Sequence, residues 1–120
     1  MDTTPPPTPG PSTPDLAGRT FVGVTSRGRA LVPGSTVRLT FDAGRLTVRA
    51  GCNTMFGEAT WTDGVLDAGR LASTRMACPP ELMAQDDWLA ALLTSRPTIA
   101  LVGADLLVGD ETAGLVLRAE

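Results

Sequence analysis

Apolar and polar side chains alternate most regularly between residues 36 and 50. Val37, Leu39 and Phe41 fall on one side of an extended segment, and Thr36, Arg38 and Thr40 on the other. Ala43-Gly44 turns the chain, after which Leu46, Val48 and Ala50 alternate with Thr47 and Arg49. Two such runs around a short turn predict a β-hairpin with one apolar face. Residues 20–25 form an earlier short strand, followed by a loop over 27–35 with a turn at Pro33-Gly34. Residues 51–57 interrupt the pattern, as a bulge or tight crossing would. It resumes over 58–62 with Ala59 and Trp61 on one side, turns at Asp63-Gly64 and returns over 65–67. Residues 71–77 read as extended, and 98–102, 106–108 and 115–118 close the chain as three more strands.

One segment carries helical spacing. Pro80 suits a first helical position and Glu81 places negative charge in the first turn. Leu82, Leu89, Leu92 and Leu93 lie near one face with Trp88 at its edge, which leaves Asp86 and Asp87 facing solvent on the other. Ser95 and Pro97 fit a stop near residues 94–96. The expected fold is mainly β (α+β). It is a curved antiparallel sheet or partly closed β-barrel of about eight short strands, with one helix packed on its apolar face.

Residues 1–14 stand apart. Six of the ten prolines lie there with Thr3, Thr4, Thr8 and Thr13, and no aliphatic or aromatic side chain follows Met1. Such a stretch has nothing to bury and is expected to be a disordered or polyproline-like linker, leaving residues 15–120 as one domain. It reads either as a flexible terminus or as a spacer that holds a domain off a membrane or wall after a signal sequence is removed. The stretch itself contains no basic and apolar leader pattern.

Composition narrows the chemistry. The 120 residues contain no His, no Tyr and no Lys, and all ten basic residues are Arg. Serine or cysteine activation by histidine, imidazole metal ligation and lysine chemistry are excluded. Ser26, Ser35, Ser73 and Ser95 therefore have only carboxylates as candidate bases. A net charge of -3 argues against nucleic acid as partner. Glu58, Asp63, Asp67, Asp86 and Asp87 are the candidates for a paired-carboxylate hydrolase. Asp105, Asp110 and Glu111 are the candidates for a calcium cluster. Both sets read better as solvated surface charge, so no catalytic residue, cofactor or metal is expected. Arg38 and Arg49 share the outer face of the hairpin, where they meet solvent or an acidic partner. Trp61 and Trp88 are read first as core and second as interface anchors. Cys52 and Cys78, 26 positions apart, are either two buried thiols or a disulfide. A disulfide would imply an oxidising compartment.

Two segments resemble the META domain family, the HslJ-like proteins. One is Gly51-Cys52-Asn53-Thr54-Met55-Phe56-Gly57; the other is Thr74-Arg75-Met76-Ala77-Cys78 ahead of the helix. The likeness extends to the opening Leu16-Ala17-Gly18-Arg19-Thr20-Phe21, where Phe21 stands at a usual Trp, and to the strands at either end. The resemblance implies a compact β-rich fold with one helix and a place in the bacterial envelope. Such proteins are often lipoproteins or secreted, and some are linked to heat shock or antibiotic resistance. It implies no catalytic residues. Gly51, Asn53, Gly57, Thr74 and Met76 are expected to be structural, with Asn53 and Thr74 bonding to nearby backbone. Because each cysteine sits inside one motif, the motifs are expected to meet through a Cys52–Cys78 disulfide. The resulting expectation is an exported, non-enzymatic, monomeric domain in stress tolerance. It would act through a protein partner and be tethered through a lipid anchor lost from its N-terminal side. The alternative is a carrier of a small apolar ligand or lipid.

Overall fold

The computed structural model describes residues 16–120, so the proposed linker over 1–14 lies outside the described residues. Among the described residues, eight strands form one antiparallel sheet: β1 (Arg19–Arg27), β2 (Arg38–Asp42), β3 (Arg45–Arg49), β4 (Thr54–Glu58), β5 (Ala72–Ser73), β6 (Ile99–Val102), β7 (Asp105–Gly109) and β8 (Gly114–Ala119). The one α-helix among the described residues, α1 (Pro80–Thr94), lies between β5 and β6 in the chain. The spatial order is β5-β4-β3-β2-β1-β8-β7-β6, so the first strand sits beside the last in the middle of the sheet. The sheet curves but does not close into a barrel.

Register follows from burying one face of each strand. Phe21 pairs with Leu39, Leu39 with Val48, and Val48 with Met55, giving a buried apolar row across four strands. Leu106 opposite Leu117 and Val108 opposite Leu115 continue the core on the other half. The Phe41 ring meets Phe21 edge-on at 6.0 Å and Trp61 at 5.2 Å. Trp61 and Trp88 are half-buried and packed against this core, as their first reading expects. From the helix, Leu89 and Leu93 are fully buried and Leu92 nearly so, whereas Leu82 is only half-buried.

Three expected segments differ. Residues 54–58 are a full strand rather than an interruption, paired with β3 from Arg45–Glu58 to Arg49–Thr54. Around Asp63-Gly64 the turn forms as its residues demand, with φ of 58° and 72° as in a type I′ turn. Its flanks, however, meet each other in a single bridge between Thr60 and Asp67, while Val65 bridges instead to Thr98. Their other backbone groups are drawn to distant partners. Ala59 N–H donates to Gly44 and Leu66 N–H to Pro97, which brings this loop against the start of β6. The extended segment over 71–77 pairs with β4 only at Ala72 and Ser73.

Proline at the first helical position starts α1, with Pro79 O accepting from Leu82 and Met83 N–H. Hydroxyls close its end, Thr94 Oγ1 donating to Ala90 O and Ser95 Oγ to Leu92 O. Arg96 then takes a left-handed φ of 58° and Pro97 bars any continuation.

Candidate functional site

The two motifs meet, and backbone hydrogen bonds to two side chains hold them together. Asn53 Oδ1 accepts from Met76 N–H at 2.7 Å and from Thr74 Oγ1 at 3.0 Å. Thr74 Oγ1 in turn accepts from Thr54 N–H at 3.0 Å, so Asn53 and Thr74 each serve the other's segment. Beside them Cys52 and Cys78 form the expected disulfide, with Cα atoms 6.1 Å apart. Met76 contributes its backbone alone; its side chain is 61% exposed. The two motif glycines serve different needs. Gly51 has a left-handed φ of 96°, which side chains resist. At Gly57 a Cβ would come within 2.5 Å of Arg70 O, because the segment before β5 crosses there.

Beneath the motif lie two side chains that periodicity placed wrongly or passed over. Gln85 is fully buried. Its Oε1 accepts from Val32 N–H at 2.7 Å, and its Nε2 donates to Ala50 O at 3.0 Å and Ser35 Oγ at 3.1 Å. One amide thus ties the helix to the 32–35 loop and to the end of β3. Asp86, expected in solvent, is only 6% exposed; its Oδ2 accepts from Asn53 N–H at 3.2 Å and its Oδ1 is buried without a partner among the described residues. Burial holds its carboxyl above the ordinary range. The hydrogen bonds from Asn53 pull the other way, and neighbouring Asp87 adds to the rise. The spacing contained a usable signal. Gln85 and Asp86 stand four and three residues before Leu89, on the turn that faces the same core.

The remaining candidates disperse. Asp67 approaches Arg96 at 3.9 Å and Asp105 pairs with Arg118 at 3.1 Å. Asp110 Oδ1 accepts from Thr112 and Ala113 N–H, which lowers its carboxyl. Ser35, Ser73 and Ser95 donate to nearby backbone carbonyls. Arg38 and Arg49 are direct cross-strand neighbours, both exposed. They border a cleft of about 530 Å³ that Ser35, Thr36, Glu81 and Leu82 also line. A broader groove of about 1100 Å³ runs beside β4, with Phe56, Arg45 and Arg70 on its walls. Leu89 lines neither. No helix among the described residues is long and apolar enough to cross a membrane.

Comparison with known proteins agrees with this geometry. An NMR structure of a protein from Burkholderia xenovorans superposes with a TM-score of 0.73 at 23% identity, covering 100% of this chain and 94% of that one. A second NMR structure superposes with a TM-score of 0.68 at 24% identity, covering 86% and 90%. At these identities both show the shared fold alone. No curated protein matches the chain. The META domain family model matches residues 14–120, which include both motifs and the helix between them and β6. The chain therefore belongs to the META domain family.

Proposed function

We propose that this chain is an exported domain of the bacterial envelope or extracellular space that works without catalysis, in stress or antibiotic tolerance, by binding a partner protein at its surface. The disulfide carries the reading. Cys52 and Cys78 are joined across two motifs, and such bonds persist in oxidising compartments. A lipid anchor upstream of the domain, with a proline-rich spacer between, belongs to the same reading. Packing favours surface recognition over the alternative of a lipid or apolar-ligand carrier. Leu89 and Leu93 of the helix are fully buried against the sheet, and the clefts open on the outside.

The test is made in the producing cells. Thiols are trapped with an alkylating reagent before lysis, and envelope, medium and cytoplasm are separated. The expected result is protein outside the cytoplasm with both cysteines oxidised. A gene deletion should reduce survival under heat or antibiotic, and a copy that cannot be exported should fail to restore it. Reduced protein confined to the cytoplasm would sink the reading.

A further inference from the structure

The cleft beside Arg38 and Arg49 has features that structural needs do not explain. Two arginines sit directly opposite each other on β2 and β3. Like charges in that position oppose pairing. Arg38 Nε is met by Glu120 Oε2 at 3.0 Å, while Arg49 has no ion pair among the described residues. The Glu120 contact demonstrates the chemistry that Arg38 accepts: a carboxylate, in an exposed pairing that is readily exchanged.

The walls of the cleft are held in place. Gln85 bonds to Val32 N–H, Ser35 Oγ and Ala50 O from below, fixing the loop and the end of β3 that frame the opening. Gly51, in its left-handed conformation, brings its Cα close against Ser35; a Cβ there would lie 3.1 Å from the Ser35 Cβ. A rigid frame lowers the ordering cost of binding. A volume of about 530 Å³ suits a small ligand or the end of a peptide. Val32, Pro33 and Leu82 add an apolar wall, and Glu81 in the first turn of α1 places one negative charge on the rim.

We propose that this cleft binds a carboxylate group of the partner, gripped by Arg49 and Arg38, with Glu81 selecting against ligands of higher negative charge. A guanidinium pair matches the planar, two-oxygen carboxylate. This rests on the surface-recognition reading above and names the chemistry of the partner. It is tested on purified protein, so that its failure is separable from failure of the export and stress experiments in cells.

The probes are a short apolar peptide with a free C-terminal carboxylate, the same peptide with an amidated end, and inorganic phosphate. Each is titrated into ¹⁵N-labelled protein. The free carboxylate is expected to shift the amides of Ser35, Thr36 and Gly51, and the amidated peptide to leave them in place. Phosphate, with its higher charge, should bind more weakly than the carboxylate and gain in Glu81→Gln. Arg49→Gln should weaken carboxylate binding about tenfold or more, the loss of one charge-assisted contact. The same variant should melt at or above the temperature of the parent, because a like-charge pair is relieved. Equal shifts with the amidated peptide would overturn the proposal, as would no shift at millimolar carboxylate. Unchanged affinity in a folded Arg49→Gln protein would also overturn it. Phosphate binding as tight as carboxylate and indifferent to Glu81→Gln would reduce the cleft to an unselective basic patch and likewise overturn it.

Discussion

Asn53 Oδ1 accepts the backbone N–H of Met76 at 2.7 Å, which ties the chain after β3 to the chain before α1. The same oxygen holds Thr74. Asn53→Ala would leave both donors without their acceptor. The expected cost is about 1–3 kcal/mol, and Asn53→Asp, which keeps an acceptor oxygen, should lose less. Urea unfolding of the three proteins measures it; an Ala variant as stable as the parent would show that water replaces the contact without loss.

The disulfide and the Asn53 contacts brace the same junction, so they can be separated by reduction. Opening the Cys52–Cys78 bond frees a loop of 26 positions in the unfolded chain, and the entropy that chain gains lowers stability by about 3.5 kcal/mol. Intact mass after alkylation, with and without reductant, is expected to show thiols only in the reduced sample. Thermal unfolding of that sample should show a lower but still cooperative transition.

Leu89 is fully buried where the helix crosses the sheet. Leu89→Ala should destabilise the domain by about 2–5 kcal/mol. Because Leu89 lines neither surface cleft, carboxylate binding by the folded variant should be unchanged. A variant of parental stability would mean that the helix is not packed as described.

Asp86 gives the stability a pH dependence with a definite sign. Its carboxyl is raised above 3.8 in the folded protein, chiefly by burial, so the folded state holds this proton more tightly than the unfolded chain. Stability from this group is therefore highest in acid. It is lost as pH rises from the ordinary carboxylate range through the raised value. Asp86→Asn removes that loss. The stability difference between variant and parent should move in favour of the variant as pH rises through this window and then level off. Parallel pH curves would refute the assignment.

Arg96 ends the helix at a φ of 58°, a conformation that costs a side chain about 1–2 kcal/mol. Arg96→Gly removes that strain and gives up only an exposed pairing with Asp67 at 3.9 Å. A net gain of about 0.5–1 kcal/mol is expected in chemical denaturation.

The sequence alone determined the periodic elements. In the hairpin of Leu39, Phe41, Leu46 and Val48, each side chain's face is set by its neighbour two positions away, which is local information. The same holds for the helix over Pro80–Thr94, whose proline start and leucine spacing are local as well. The fragments Gly51–Gly57 and Thr74–Cys78 pointed to the family, and the placement of one cysteine in each pointed to the disulfide. Only the tertiary structure decided what joins them. Asn53 reaches Met76 because β4 runs back along β3 and the chain then returns beside it. Likewise, the sequence places Asp86 on the solvent side of the helix and singles out nothing at Gln85, yet both are buried. Their turn of the helix faces the loop and strand end whose unpaired backbone groups need partners, and those groups draw them inward. A backbone N–H left unsatisfied by one segment can be answered by a side chain from any other, and which one answers depends on how the whole chain folds.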